Sequence, residues 1–309
     1  MTNMRALIGG TGSPRLVEVP VPEAGPGQVR IRMAAAGVNP FDLAVAAGTL
    51  ADHGVARKLD SYGLGFDVAG TVDQVGEGVA YRIGDEVIAL VARLELPVKA
   101  QAEYVVVDAS AVARAPRGAS AVAAATIPLN ALTAWQALDR ARLAPGRTLL
   151  VTGAAGAVGG YLVELGVVRG LRVVAAAGDG DEELVRGLGA EWFVPRSADL
   201  ASAVRSLVPG GVDAVVDAAV LGLGALDAVR DGGTYVSLTP GVTVIPLRGT
   251  DVASVFFRAD ADQLAEVVRL VEAGRITLRV AGAYPLEKAA DAHARLAAGG
   301  LRGRLVLVP

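Results

Sequence analysis

A glycine-rich turn near the middle of the chain constrains the fold more than any other stretch. The apolar run 148–152 is typical of a buried parallel strand, and Gly153, Gly156 and Gly159 follow it. A helix is expected to begin at about Ala157 and to continue to about Arg169, and residues 171–177 have the composition of a second strand. The stretch therefore predicts a βαβ unit whose first strand turns tightly into its helix.

Glycines in such a turn suit a phosphate group. One lets the backbone turn, one leaves space for a pyrophosphate to approach, and one lets the helix pack against the strand. The N–H groups and the positive dipole end at the start of the helix then face the phosphate. A chain with 39 glycines in 309 residues offers many chance spacings, so the strand before and the helix after carry the argument. They favour a dinucleotide site over a structural turn, with candidate residues Gly153, Gly156, Ala157, Val158 and Gly159.

Composition excludes several classes of function. Hydrophobic residues make up 52% of the chain but aromatic residues only 4%, so small apolar side chains supply enough material for two cores. The longest uncharged run, 118–138, contains Pro128 and Asn130, which favours a buried helix and loop over a membrane span. No apolar signal begins the chain, and the net charge is −3 without a basic cluster. We expect a cytoplasmic protein with no nucleic-acid or membrane partner.

A metal site is not expected. The chain has no cysteine, which excludes a disulfide, a thiolate nucleophile and cysteine-ligated zinc. Its two histidines, His53 and His293, lie far apart in the sequence, and neither belongs to a cluster with the spacing of metal ligands.

The first third of the chain has the pattern of a β domain. Short strand candidates are separated by glycine and proline, without long helical periodicity. They are Leu16–Val19, Gln28–Ala34, Phe66–Gln74, Glu86–Val91 and Glu103–Val107. This spacing predicts a compact, barrel-like domain.

From about Ser120 onward, helices and strands alternate, which predicts a parallel sheet covered on both faces. Ligands bind such sheets at the carboxyl ends of the strands, so Ala218, Ser237 and Leu238 are expected beside a bound cofactor. Two helices and a last strand follow residue 257. We predict one domain from 1–120 and 258–309, and a second domain from 121–257.

The order of motifs resembles the zinc-independent quinone oxidoreductase-like branch of the medium-chain dehydrogenase/reductase superfamily. The resemblance covers nearly the whole chain and rests on 36–42 (AGVNPFD), 65–70 (GFDVAG), 84–87 (GDEV), 128–134 (PLNALTA), 153–159 (GAAGAVG), 188–190 (LGA), 284–289 (YPLEKA) and 303–307 (GRLVL). It implies an α/β protein with a GroES-like β-barrel catalytic domain and a Rossmann domain with a doubly wound parallel sheet. It also implies hydride transfer from a nicotinamide to a quinone or an α,β-unsaturated carbonyl, and a homodimer.

The resemblance also implies roles for particular residues. Asn39 and Thr133 match residues that line the nicotinamide end of the cofactor, and residues 156–159 match the phosphate loop. Ser237, Leu238, Phe256 and Phe257 match segments near the nicotinamide and its ribose. From the residues alone, an asparagine after a strand such as Asn39 caps a turn or binds a ligand equally well.

One departure from the family concerns the proton donor. Many quinone reductases carry a tyrosine shortly after the asparagine motif, where this chain has Ala44. Tyr62 is a candidate replacement that would donate a proton to the substrate; the alternative is a tyrosine packed beneath a loop. Asn39, Tyr62 and Thr133 are therefore the candidate catalytic residues.

A second departure concerns the cofactor. Asp179 lies about 20 residues beyond the glycine turn, where a carboxylate binds a ribose diol and repels a 2′-phosphate, which favours NADH. Arg196 follows the next strand, where the family often places a phosphate contact, and the branch prefers NADPH. The acidic residues 181–183 also suit the first turn of a helix. On family grounds we expect NADPH, with NADH possible.

An apolar pocket is expected from Phe41, Leu43, Val45, Phe256 and Phe257, which suits a hydrophobic quinone or carbonyl substrate, including a polyketide-like one. Ala44 and the acidic loop 178–183 also permit a different function, in which the scaffold has lost redox chemistry and acts as a cyclase or a nucleotide-binding regulator. A mobile lid over residues 51–57, which include His53, is a further hypothesis.

Overall fold

The computed structural model describes residues 2–10, 13–52, 55–239 and 244–309. Within these ranges, sixteen strands carry the labels β1 to β16 in chain order: Asn3–Gly9, Arg15–Pro20, Gln28–Val38, Tyr62–Gly63, Asp67–Val75, Glu86–Leu90, Tyr104–Asp108, Val112–Arg114, Thr148–Thr152, Arg172–Ala177, Trp192–Pro195, Val212–Asp217, Val229–Ser237, Asp251–Ser254, Val280–Pro285 and Arg304–Val308.

Ten α-helices carry the labels α1 to α10: Pro40–Ala47, Thr49–Asp52, Ala121–Ala124, Pro128–Ala141, Ala157–Val168, Glu182–Gly187, Leu200–Leu207, Leu223–Leu226, Ala261–Glu272 and Ala289–Ala297. Two short 3₁₀ helices lie at Ala109–Ala111 and Leu286–Lys288.

The chain forms two compact units. The β unit contains Met1–Leu129, Arg258–Ala273 and Leu278–Pro309. The α/β unit contains Asn130–Phe257 and Gly274–Thr277. The α/β fold class with a β domain and a parallel-sheet domain is thereby confirmed.

The β unit is built on two sheets. A seven-stranded sheet has the order β15-β16-β3-β5-β6-β8, with β7 also paired to β3, and a three-stranded sheet has the order β2-β1-β4. The strand β3 is the centre of the larger sheet, since it pairs antiparallel with β5, β7 and β16. Its alternating side chains, Val29, Ile31 and Met33, are buried, as the period of a half-buried strand requires.

The α/β unit has one six-stranded sheet in which every pairing is parallel. Its order is β11-β10-β9-β12-β13-β14, the 3-2-1-4-5-6 arrangement of a Rossmann domain. The first strand, β9, is fully buried and lies at the centre, with β10 on one side and β12 on the other. All six strands therefore present their carboxyl ends at the same edge.

The sequence located most strands to within two residues and missed five, β1, β4, β8, β14 and β15. It also missed α1, which begins with signals that could have been used: Asn39 at the N-cap, Pro40 at the first position and Asp42 in the first turn. In the uncharged run 118–138, where a buried helix and loop are expected, the structure has the two helices α3 and α4 separated at 125–127, because Pro128 begins a new helix.

Residues 121–141 are long and apolar enough to cross a membrane by length and composition, but 78% of their most apolar window is buried in the fold. A core helix has the same properties, so this segment is weak evidence for a membrane span.

Candidate functional site

The carboxyl edge of the six-stranded sheet brings together most of the predicted cofactor-binding residues. The glycine turn follows β9, and the ends of β10 and β11 lead directly into Asp179 and Arg196. The ends of β12, β13 and β14 lead into Ala218, Leu238 and Phe256–Phe257 in the same way. A sheet with all strands parallel collects these loops at one edge. Strand order predicted this place for Ala218 and Leu238, and the family resemblance supplied Arg196 and Phe256–Phe257.

The glycine turn is built so that side chains would not fit. Gly153 has a φ of +62°, in the left-handed region that favours glycine. A Cβ on Gly159 would lie 2.1 Å from the carbonyl oxygen of Gly153 and 2.8 Å from the Cα of Ala154. The helix α5 then begins at Ala157 with Gly156 as its N-cap, which supplies no side-chain cap. The start of the helix is therefore reached by backbone alone, which suits an approaching phosphate.

The two residues that bear on cofactor preference lie at one corner of this edge. The Asp179 carboxylate accepts a hydrogen bond from the backbone N–H of Ser197 at 3.1 Å, which ties the loop after β10 to the loop after β11. Both Asp179 and its neighbour across this bond, Arg196, are exposed. By contrast, Asp181 is buried and accepts from the N–H of Gly178, so it closes the loop rather than facing a ligand.

A closed hydrogen-bond network supports the loop after β12. The Asp217 carboxylate accepts from the Thr152 hydroxyl at 2.6 Å, from the Tyr235 hydroxyl at 2.7 Å and from the N–H of Gly222 at 2.9 Å. The Thr152 oxygen also accepts from the N–H of Ala219. Burial, and then the hydrogen bond to Asp217, raise the pKa of Tyr235, so this hydroxyl is a permanent donor. The network fixes Ala218 against the glycine turn.

The remaining candidates of the α/β unit are held in defined ways. Ser237 is buried, and its hydroxyl bonds with the backbone of Thr239 at 3.2 Å. The rings of Phe256 and Phe257 stack with centroids 4.8 Å apart. Thr133 is buried within α4.

In the β unit, Asn39 lies at the start of α1 among buried carboxylates. Its side-chain Nδ2 donates to Asp67 Oδ2 at 2.6 Å, and its backbone N–H donates to Asp42 Oδ2 at 2.7 Å. Asp42 also accepts from the N–H of Gly65, and Asp67 accepts from the N–H of Leu129. The oxygen Oδ1 of Asn39 is buried without a hydrogen-bond partner. Asn39 therefore occupies the N-cap position of α1 through its backbone and keeps its side-chain acceptor available.

Three further polar residues are buried in the β unit with unpartnered atoms. Lys99 Nζ lies 3.1 Å from the ring centroid of Phe66. Neither this atom, nor Gln101 Oε1, nor either ring nitrogen of His293 has a hydrogen-bond partner. A buried polar atom without a partner costs about 1–3 kcal/mol, so such atoms are typical of sites completed by water or a ligand.

Burial shifts the pKa values of this cluster. Burial raises the pKa of Asp67 to about 6, against the opposing effect of its hydrogen bond from Asn39. Burial lowers the pKa of Lys99 to about 7, although the charges of Asp42 and Asp67 oppose this. Burial also raises the pKa of Asp42 and lowers that of His293. Proton exchange at Asp67 and Lys99 therefore falls near neutral pH.

Tyr62 is buried and its hydroxyl is engaged by the chain. It donates to the carbonyl oxygen of Arg57 at 2.6 Å and accepts from the N–H of Leu59 at 3.0 Å. This geometry favours the packed tyrosine over the proton donor. His53 lies outside the described residues, as does part of the loop proposed as a lid.

The sequence did not single out the cluster around Asn39. Asp42 and Asp67 entered only as parts of motifs, and Lys99, Gln101 and His293 come from segments far apart in the chain. Only burial of a lysine, a glutamine and a histidine would have revealed it, and no local pattern signals that burial.

The glycine turn and the N-terminus of α5 form a cradle that fits a dinucleotide phosphate. Gly153 turns with a positive φ, Gly156 gives the helix no side-chain cap, and Gly159 lets the helix pack directly on the turn. For a metal, the described ranges contain no group of three or more histidine, cysteine, aspartate or glutamate side chains placed to hold an ion.

Two family models match the chain. One, described as "Alcohol dehydrogenase GroES-like domain", matches residues 25–117, and the other, described as "Zinc-binding dehydrogenase", matches residues 188–307.

Related proteins match along nearly the whole chain. The chain is 29% identical to the chloroplast envelope quinone oxidoreductase homolog of Arabidopsis thaliana, over 97% of this chain and 95% of that protein. It is 31% identical to the chloroplastic NADPH-dependent alkenal/one oxidoreductase of the same plant, over 94% and 74%. The solved structure of the quinone oxidoreductase from Coxiella burnetii matches with a TM-score of 0.89, 26% identity and complete coverage of both chains.

Proposed function

Because the chain belongs to the zinc-independent quinone oxidoreductase-like branch of the medium-chain dehydrogenase/reductase superfamily, we propose that it is an NAD(P)H-dependent oxidoreductase that reduces a quinone or an α,β-unsaturated carbonyl. The glycine turn carries this proposal, since Gly159 lets α5 pack directly on the turn and Gly156 leaves the N-terminus of the helix without a side-chain cap. Catalysis by a non-redox cyclase would not require that cradle.

Hydride transfer requires no covalent step from the protein's own residues. A bound reduced nicotinamide supplies the hydride. The chain must hold donor and acceptor carbons in contact and stabilise the negative charge that develops on the substrate oxygen. We propose that Thr133 and Asn39 line the nicotinamide end, with Ser237, Leu238, Phe256 and Phe257 beside its ribose. The β unit is then the catalytic domain and the α/β unit the dinucleotide-binding domain.

For the adenosine end we propose NADPH as the preferred cofactor. The exposed Arg196 guanidinium can pair with a 2′-phosphate, and Asp179 has one carboxylate oxygen engaged by the N–H of Ser197. That bond neutralises part of the repulsion that the carboxylate exerts on a phosphate.

Calorimetric titration with NADPH and then NADH tests this assignment. Arg196→Ser is expected to weaken the binding of NADPH about tenfold and to leave the binding of NADH unchanged, whereas Asp179→Ser is expected to weaken the binding of NADH. Arg186→Ser is the matched control, since this arginine lies on α6 and pairs with Glu182. Equal effects of Arg196→Ser on both cofactors would contradict the assignment.

Turnover tests the reaction itself. Oxidation of the reduced cofactor with a simple quinone or an enone is expected to depend on both the protein and the acceptor. Cofactor binding with no turnover across a broad acceptor panel would instead favour a nucleotide-binding regulator. Product formation without cofactor consumption would favour a cyclase.

We also propose a homodimer and a cytoplasmic location. Exposed apolar side chains in the α/β unit support an interface between copies: Val220, Leu221, Leu223, Ile245 and Leu247. A monomer mass in light scattering would contradict the dimer, and fractionation of cells would test the location.

A further inference from the structure

The amide orientation of Asn39 depends on the charge of Asp67. An ionised carboxylate only accepts hydrogen bonds, so the amide must turn its NH₂ group towards it. The observed bond joins Asn39 Nδ2 to Asp67 Oδ2 at 2.6 Å. The other end of the amide, Oδ1, is then left buried and without a partner.

The Asp67 carboxylate is bonded at both oxygens. Its second oxygen accepts from the backbone N–H of Leu129. A Cβ on Gly37 would lie 2.6 Å from Oδ2, so only a glycine at this position leaves room for the carboxylate beside Asn39.

Charged groups from several elements face this pair. Arg304 on β16 favours the ionised form of Asp67 and Asp42 on α1 disfavours it. Lys99, from the segment between β6 and β7, interacts with both carboxylates, and His293 on α10 faces Asp42. With a pKa of about 6, Asp67 therefore gains or loses its proton near pH 6.

We propose that Asp67 is the positioning residue that fixes the Asn39 amide with Oδ1 as its available acceptor, and that loss of the negative charge inverts the amide. A protonated Asp67 donates its O–H to Asn39 Oδ1, and Nδ2 becomes the available donor. The consequence for ligands rests on the proposed function: the site at Asn39 accepts from a ligand N–H or O–H when Asp67 is ionised, and donates when it is not.

Selective ¹⁵N labelling of asparagine tests the inversion without any cofactor. The chain has only three asparagines, Asn3, Asn39 and Asn130, so three side-chain NH₂ pairs are expected. The Asn39 pair is expected to titrate with a midpoint near 6, as Asp67 does. The backbone N–H of Asn39 bonds to Asp42 instead, so it reports that second carboxylate separately.

The substitution Asp67→Asn should produce the inverted state at every pH. The new carboxamide still accepts from Leu129 and donates to Asn39 Oδ1, so the Asn39 pair moves and stops titrating. Asp73→Asn is the matched control, since Asp73 lies on the same strand β5 but pairs with Arg30. A wild-type Asn39 pair that does not titrate, or an equal shift in Asp73→Asn, would overturn the proposal. The wild-type titration decides the matter if Asp67→Asn fails to fold.

Cofactor affinity then tests the functional consequence. Asp67→Asn is expected to weaken the binding of the reduced cofactor about tenfold, and Asp73→Asn to leave this affinity unchanged. An inverted amide with unchanged affinity would confirm the positioning role and contradict the placement of Asn39 at the nicotinamide. The two failures are therefore distinguishable.

Discussion

The polar interiors of the two units are organised in opposite ways. In the α/β unit, Asp217 joins Thr152, Tyr235 and Gly222, and both its oxygens are hydrogen-bonded. In the β unit, the cluster around Asn39 and Lys99 combines opposite charges with atoms that have no partner. One network is complete by itself, whereas the other is open to a proton, water or ligand.

This difference separates rigid support from adjustable chemistry. A complete network with a permanent donor such as Tyr235 holds its loop in one geometry across the physiological range of pH. An open cluster in which Asp67 and Lys99 exchange protons near neutrality changes its hydrogen-bond pattern with pH. The cofactor cradle is thus expected to depend on packing, and the Asn39 region on protonation.

In the α/β unit, a side chain at Gly159 is expected to have the largest effect on stability and cofactor affinity. Gly159→Ala places a Cβ 2.1 Å from the backbone oxygen of Gly153, so we expect a loss of about 3 kcal/mol or more in stability and at least a hundredfold in cofactor affinity. Chemical denaturation and calorimetry measure both. Gly187→Ala, in α6 with open space around its Cβ, is the control and should be neutral or slightly stabilising. Wild-type affinity in Gly159→Ala would contradict the cradle.

Removing the centre of the closed network is expected to have the next largest effect. Asp217→Ala leaves the hydroxyls of Thr152 and Tyr235 and the N–H of Gly222 without their acceptor, at a cost of roughly 2–3 kcal/mol in unfolding free energy. Tyr235→Phe removes one of these bonds and should cost about 1 kcal/mol. If both substitutions cost the same, the three bonds do not act as one network.

The same contrast explains what the sequence could and could not predict. The cofactor edge follows from chain order, because parallel strands place successive loops together, and glycine spacing marks the turn. The alternation of helices and strands therefore predicted Ala218 and Leu238 at this edge, whereas Phe256 came from the family resemblance, since the strand before it, β14, was not predicted. The cluster of the β unit has no such rule: Lys99 and His293 meet Asp42 only through tertiary packing, and neither residue type signals burial.

The open cluster should give stability a pH dependence that the closed network lacks. Lys99 has a pKa of about 7 when folded and about 10.5 when unfolded, so both states hold the proton below pH 7. Between these values only the unfolded state binds it, and stability rises with pH. From pH 7 to 9 we expect the free energy of unfolding, measured in urea, to rise by about 2 kcal/mol.

Asp67 and His293 change protonation below this window. Burial raises the pKa of Asp42, which opposes the effect of Lys99, so a lysine substitution is needed to isolate the Lys99 contribution. Lys99→Met should abolish the rise. Lys288→Met, at an exposed lysine, should preserve it. A rise that survives in Lys99→Met would show that another group is responsible.

Substitution of Tyr62 is expected to have the smallest effect. This residue belongs to the β unit, yet its hydroxyl is hydrogen-bonded as completely as the Asp217 network. Tyr62→Phe loses the bonds to Arg57 and Leu59 and should cost about 1 kcal/mol, whereas Tyr284→Phe should cost little. If Tyr62 only packs beneath its loop, kcat stays within a few-fold of wild type. A proton donor would lose about a hundredfold or more in kcat, with a changed pH profile. Because its proton is already held by the carbonyl of Arg57, we expect the small effect, and the open chemistry of the β unit is then confined to the cluster around Asn39.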